Sequence, residues 1–304
     1  MANTAIADII NPEVLGDQIA AKFPDMLVFG NSSLVQLDGD FPLGAPGTQF
    51  KMPFWKRVGA FADLTEGTAM TPGKITSGSE FATVLRGGAA FEVLDTAELV
   101  SKADPVGEIA DQIARRAAEY IDGKLVLKAN LTPNTFDQSI GATKTNANGT
   151  WDQNVIPVAC TSTLGDNFGK LMQGGGALIC HSKVYGDLLQ TAAIQNQYQF
   201  GGDVLQKGVI PTVMGLPIMI SDLVTTATQS AKTLYTSYIV GPAALALFYQ
   251  RQVMVEFDRD ILLLADIVSS NVHFAPHLWG YDDQTTAVVA EQAKSIHVVK
   301  VTSY

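Results

Sequence analysis

Charge is scarce in this chain: 16% of its 304 residues are Asp, Glu, Lys or Arg, against about a quarter in an average soluble domain. Bases are the scarcer sign, 20 against 30 acids, which leaves a formal net charge of −10 and a pI near 4.8. Nucleic-acid binders draw much of their affinity from cations that neutralise phosphates, so this balance argues against that class. Two cysteines, Cys160 and Cys180, are too few for a disulfide framework. They can in principle pair, but reduced thiols are the expectation. The richest apolar stretch, 240–249, contains Gly241 and Pro242 and is too short to cross a bilayer as a helix. MANTAIADIINPEV at the N-terminus has no basic segment, and Asp8 interrupts its apolar residues, so it does not read as a secretory signal. Synthesis in the cytoplasm is therefore expected, and the Asn-x-Ser/Thr triplets at Asn31, Asn130 and Asn148 carry no glycosylation message.

What the chain does have is apolar substance. Hydrophobic residues make up 47% of it, enough for a large core and incompatible with intrinsic disorder. The length suits one large domain or two ordinary ones. A chain this short of surface charge is expected to hide surface against copies of itself.

Residues 11–23 read as a short helix, with Asn11 as cap, Pro12 in the first turn, and Leu15, Ile19 and Phe23 spaced by four. A Gly- and Pro-rich passage to about residue 47 looks like an arm. From 47 to 95, TQFKMPFW and SEFATVLRGGAAFEVLDT predict two strands joined by a long turn-rich loop. A two-stranded ribbon is marginal alone in water, so this one is expected to lie against something else. The strongest signal opens at Asp104 and Pro105. Ile109, Ile113, Ala117, Tyr120, Ile121 and Leu125 form one stripe of a long helix reaching Lys128, and Asp111, Arg115 and Glu119 suggest ion pairs at spacings of four. Residues 130–155 are polar and read as a surface excursion. Beyond them, a short helix through Leu164, Phe168 and Leu171 ends near Gly174. GALIC is a buried strand, and SKVYGDLLQTAAI a helix capped by Ser182. The remaining strands are VIPTVM, PIMISD, TLYTSYIV, RQVMVEF, DILLLADIV and NVHFAPHLWGY.

Motifs of chemistry are weak throughout. GTAMTPGK at 67–74 has five residues between its glycines, and Ile75 stands where a phosphate loop needs Ser or Thr. Gly174, Gly175 and Gly176 follow a helix and read as its stop. Cys180 and His181 are adjacent, but neighbours on a strand face opposite ways, so a nucleophile–base pair is not expected. His273 and His277 have zinc-helix spacing, yet Pro276 forbids the helix and no third ligand is evident. Asp258, Arg259 and Asp260 read as a turn with a local ion pair. No catalytic residue, metal or cofactor is expected.

The charge map is more informative. Residues 46–86 carry Lys51, Lys56, Arg57, Lys74 and Arg86 against Asp63, Glu66 and Glu80, a net of +2. Residues 256–291 carry seven acids, among them Asp258, Asp260 and Asp266, against Arg259, a net of −6. One reading is two solvated faces. The other is that the basic ribbon of one subunit lies over the acidic strands of the next and fixes orientation.

The order of elements, together with SKADPVGEIADQIARR at 101–116, HSKVYGDL at 181–188, IPTVMGLPIMISD at 210–222, YTSYIVGPAALAL at 235–247 and FDRDILLLADIVSSNVHFAPHLWGY at 257–281, resembles the major capsid proteins of tailed bacteriophages. That family has the Johnson fold, an α+β architecture shared with encapsulins. The resemblance implies an N-terminal arm at 1–46 and an extended loop (E-loop) at 47–95. It implies a peripheral domain of 96–155 and 251–304 with a spine helix at 104–128, and an axial domain at 156–250. It further implies a non-enzymatic subunit of an icosahedral virion shell, forming hexamers and pentamers around double-stranded DNA contacted non-specifically, assembled in the host cytoplasm and not on a membrane. With only 46 residues before the extended loop, no long cleaved leader is expected. A separate scaffolding protein is, with a portal as a further partner and a decoration protein as an optional one. Two alternatives are an encapsulin-type compartment enclosing a cargo enzyme, and a thiol hydrolase using Cys180.

Overall fold

Pro105 stands at the first position of a 25-residue helix, α1 (Pro105–Ala129), where its missing N–H leaves no intrahelical bond unmade. At 1.5 Å per residue α1 is roughly 37 Å long. The computed structural model describes residues 27–30, 32–37, 47–55, 77–94, 105–139, 144–152, 154–165, 168–173, 175–191, 212–229, 231–260, 265–280 and 298–304, with a few positions between 63 and 75. The short helix expected at 11–23 and the cap expected at Asp104 lie outside them. The chain divides into two compact units, one of Met1–Gly47, Val84–Lys128 and Leu245–His277, the other of Thr48–Thr83, Ala129–Ala244 and Leu278–Tyr304.

In the first unit, Ile113, Ile121 and Leu125 of α1 are buried as the periodicity predicts. The buried face is nevertheless turned: Ala114, Ala118, Asp122 and Val126 belong to it, whereas Tyr120 stands 36% exposed. On the outer face Arg116 and Glu119 form an ion pair at 2.8 Å, a spacing of three. The reason for the turn is Asp122. Its carboxylate accepts the backbone N–H groups of Val28 (2.8 Å) and Phe29 (3.3 Å) on Oδ2, and that of Gly30 (3.1 Å) on Oδ1. Burial pushes this carboxyl above its ordinary range, and the three donors pull it back. The clamp leads into β1 (Val35–Leu37), which pairs parallel with the start of β11 (Leu245–Asp260).

The four-stranded sheet of this unit runs β1–β11–β12–β4, with β12 spanning Ala265–Leu278 and β4 spanning Leu85–Leu94. Strands β4 and β12 are antiparallel over ten residue pairs, from Ala265 opposite Leu94 to Phe274 opposite Leu85. The second strand expected within 47–95 is thus divided at Val84. Its first half, β3 (Ser77–Thr83), pairs with β2 (Gln49–Trp55) in the other unit. The alternation in this stretch runs on across Val84, so composition carries no sign of the change of partner.

The second unit is built on a mixed sheet ordered β5–β13–β10–β6–β8–β7, in which β5 spans Thr135–Asp137, with β9 (Thr226–Gln229) also on β10. Strand β10 (Lys232–Val240) pairs with β6 (Ala177–Cys180) on one side and β13 (Val298–Ser303) on the other. Burial of consecutive residues in β6 and at Tyr238–Val240 of β10 explains their apolar runs. Helices α2 (Val155–Leu164), α3 (Phe168–Gln173) and α4 (Ser182–Leu189) complete the unit, and its core includes Ile156, Leu171, Leu188, Ile239 and Val299. The single helix expected at 164–171 is interrupted at Gly165, which has φ +54°. Strands β7 (Thr212–Val213) and β8 (Leu216–Ile220) meet in a two-residue turn with positive φ at both Met214 (51°) and Gly215 (83°), the mirror-image geometry that suits strand twist.

Residues 130–155 are more than a surface excursion. They supply β5 (Thr135–Asp137), parallel to β13, and the buried Phe136 and Trp151. Side chains satisfy the polar backbone here: the Thr145 N–H donates to Gln138 Oε1 at 2.9 Å, and Gln138 Nε2 and Asn146 Nδ2 donate to the Thr150 carbonyl at 3.2 and 2.7 Å.

Replacing Asp122 with Ala leaves three N–H groups, two of them buried, without their acceptor, so we expect a loss of about 3 kcal/mol. Urea unfolding measures it, and amide exchange at Val28–Gly30 locates it. A loss below about 1 kcal/mol, with those amides still protected, would contradict the clamp.

Candidate functional site

A cavity of about 410 Å³ opens in the first unit beside α1. Its β4 wall is Gly87, Gly88 and Ala89, and its helix wall is Ile113, Ala117 and Tyr120. The glycines are needed there. A Cβ on Gly87 would lie 2.5 Å from Tyr120 Cε1, and one on Gly88 would lie 2.8 Å from the Ser270 carbonyl. Tyr120 is held edge-on to Phe274, with ring centroids 5.7 Å apart and planes at 89°.

Two arginines, Arg86 and Arg116, complete the lining, and no acid belongs to it. Arg86 Nε donates to His273 Nε2 at 3.2 Å, which fixes that imidazole as a neutral acceptor. Desolvation, then the nearby charges of Arg86 and Arg251, hold the His273 pKa below its ordinary value. Asn271, also in the lining, has a buried Oδ1 without a hydrogen-bond donor among the described residues. An apolar floor, two guanidinium groups and an orphan acceptor suit an incoming group that is partly apolar, anionic and able to donate an N–H. The lining contains no nucleophile paired with a base.

The positions singled out by charge are spread over both units. Lys51 lies on β2, its ammonium 5.9 Å from the centroid of the Phe81 ring, and Lys74 is exposed. Lys56 and Arg57 lie outside the described residues. Arg86 lies on β4, in the first unit, and not on the ribbon with the lysines. Asp258 and Asp260 end β11, so the turn expected there is a strand; Asp258 Oδ1 accepts the Arg259 N–H at 2.9 Å. Asp266 sits opposite Val93 near the start of β12. Thus Arg86 and the three aspartates share one sheet, at opposite ends of it.

Cys160 and Cys180 are free and buried, and burial pushes each thiol up to about 12. His181, not Ser182, caps α4: it is the residue with extended backbone, and its Nδ1 accepts the Lys183 N–H at 3.0 Å. Its Nε2 faces Asp222 Oδ1 at 3.5 Å, so both ring nitrogens are engaged away from Cys180. Side-chain and backbone hydrogen bonds from Ser182 hold the Asp222 carboxyl below its usual range. His273 and His277 lie on strand β12. Among the described residues no cluster of three or more His, Cys, Asp or Glu is placed to hold a metal.

The profile of a family described as phage capsid protein matches residues 78–275. The major capsid protein of Bacillus phage SPP1 is 26% identical over 288 residues, covering 91% of this chain and 86% of that protein. A structure from Mycobacterium phage Che8 aligns with TM-score 0.64 and 13% identity, covering 90% of each chain. The acid-stable capsid of Helicobacter pylori bacteriophage KHP30 aligns with TM-score 0.66 and 12% identity over all of this chain and 93% of that one. The fold is therefore the α+β capsid fold that the sequence resemblance implies.

At pH 8 a disulfide reagent should leave both thiols of the native protein unmodified and titrate both once the chain is unfolded in guanidinium. Rapid labelling of native Cys180 would reopen thiol chemistry.

Proposed function

This chain belongs to the phage capsid protein family and builds the shell of a virion, and we propose that its copies close an icosahedral head of hexamers and pentamers around double-stranded DNA. The observation that carries this reading is apolar surface a lone chain leaves uncovered. Trp55 is 71% exposed at the end of β2 and Ile75 61%, while Phe50 and Ala82 of the same ribbon are buried. The ribbon is thus anchored at one end by its own chain and offers large side chains at the other. Burying a side chain of that size is worth about 1.5–3 kcal/mol, and repetition over many copies turns weak contacts into a stable shell.

In this reading residues 1–46 are the arm, 47–95 the E-loop, 96–155 and 251–304 the peripheral domain, and 156–250 the axial domain. Lys51, Lys56, Arg57, Lys74 and Arg86 of one subunit face Asp258, Asp260 and Asp266 of the next, and set orientation more than affinity. A scaffolding protein guides assembly, a portal occupies one vertex, and a decoration protein can add to the outside. A net charge of −10 leaves DNA free to slide along the inner wall, since a cationic wall would hold phosphates.

Expressed alone and with a scaffolding partner, the chain should form closed particles of uniform diameter in negative-stain images. A protein that sediments as a monomer at every concentration in both conditions would contradict the shell. Charge reversal at Arg57 should raise the concentration needed for assembly by about tenfold if the ribbon contact is worth about 1.4 kcal/mol; unchanged assembly would remove that contact.

A further inference from the structure

We propose that the β4 edges of two copies of this chain pair antiparallel about Ala89, a two-fold contact that refines the shell reading and rests on it. Among the described residues β4 is the last strand of its sheet, with β12 on one side and no strand on the other. Proteins blunt such open edges with Pro, Lys or a bulge, because a row of backbone groups there invites another strand. β4 contains neither Pro nor Lys, and its ten pairs with β12 run without a bulge. Gly88, Ala89 and Ala90 at its middle are exposed, and residues so small let a second backbone approach. Charge differs between the two ends. Arg86 stands toward one, Glu92 toward the other, and Asp266 lies opposite Val93 beside Glu92. Two antiparallel copies bring each basic end against the other's acidic end.

Sequence symmetry sets the register. Arg86 and Glu92 stand three residues to either side of Ala89, and Gly87 and Phe91 two residues to either side. Backbone N–H groups alternate between the two edges of a strand, so in a two-fold antiparallel pair the axis falls on a residue. With the axis at Ala89, Arg86 of each copy lies opposite Glu92 of the other, twice per contact. With it at Gly88 Arg86 would meet Ala90, and at Ala90 it would meet Leu94. A parallel pair in register would set arginine against arginine. The Nε of Arg86 donates to His273, which leaves the terminal Nη groups for the carboxylate. The Arg86 carbonyl accepts the Tyr120 hydroxyl at 3.5 Å and keeps a second lone pair. Phe91 of the second copy lies opposite Gly87, an aromatic ring over an edge glycine. Gly87 faces Tyr120, so that ring enters the recess beside α1. Arg86 also comes to the end of the next copy's sheet where Asp266 stands one strand further in, in keeping with the shell reading. Such a contact is isologous: it joins two copies and stops, the kind that ties one hexamer or pentamer to the next.

A single cysteine tests the axis. In assembled, oxidised particles the Ala89→Cys chain should run as linked pairs on a non-reducing gel and never as longer ladders, because opposite residues lie about 4.5–5.5 Å apart between Cα atoms. The Ala90→Cys chain should run as single chains, since its counterparts are diagonal neighbours about 7–8 Å apart. Cys160 and Cys180 are buried and stay out of the readout. Arg86→Glu sets like charges opposite each other twice, so it should raise the concentration needed for assembly by about tenfold, and adding Glu92→Arg should restore it. Ala89→Cys particles that yield only single chains, or ladders beyond pairs, would overturn the proposal, as would linking through Ala90→Cys instead. So would assembly of the Arg86→Glu chain at the ordinary concentration. If a cysteine variant fails to fold by circular dichroism, the charge pair decides. If the unsubstituted chain forms no particles the shell reading fails, and the Ala89→Cys chain at high concentration still decides the pairing, as linked pairs or as single chains.

Discussion

Antiparallel pairing between β4 and β12 is the constraint on which the chemistry of the first unit depends. Ten consecutive residue pairs fix which side chains stand beside Arg86 and which lie at the far end with Asp266. A slip of one residue would turn every side chain to the other face and separate Arg86 from His273. The glycines of β4 contribute to the same result. They let Tyr120 lie against bare backbone, so α1 approaches the strand closely at that ring and leaves space beside it. One register thus produces a recess, its charge, and a fixed distance to the opposite charge.

The second unit relies on a different device. Its central strand β6 is covered along its length and β10 from Thr236 on, and the polar groups of the 130–155 segment are tied by side chains such as Asp152 and Gln138. Backbone amides and carbonyls that would otherwise favour water are bonded within the unit. Trp151 and Phe136 then add apolar area from a stretch that is mostly Asn, Thr, Gly and Asp.

Local periodicity made much of this legible. The long helix, the buried strand at 177–180 and the helix at 182–189 all declare themselves through spacing and capping residues. Features set by distant partners did not. Asp122 on a helix reads as a solvated acid; only the three amides of Val28, Phe29 and Gly30 explain why it is buried. The division at Val84 depends on which strand comes alongside, and so does the place of β13, whose neighbours β5 and β10 are far away in sequence. Arg86 was singled out by charge, but its recess was hidden, because Gly87 and Gly88 look in sequence like a weak point in a strand. The acidic residues at 258–260 were read as a turn, since three charged residues in a row resemble a loop and the strand extends through them.

Both sulfhydryls lie in the same half of the molecule, in the core around Leu178 and Ile239, and the half containing α1 has none among its described residues. The polypeptide therefore carries a built-in gauge of local breathing. Slow modification under mild denaturant reports transient opening of that one half, whereas loosening confined to the other passes unseen. Comparing loose subunits with a finished particle on this gauge separates the rigidity a subunit owns from the rigidity its neighbours lend it.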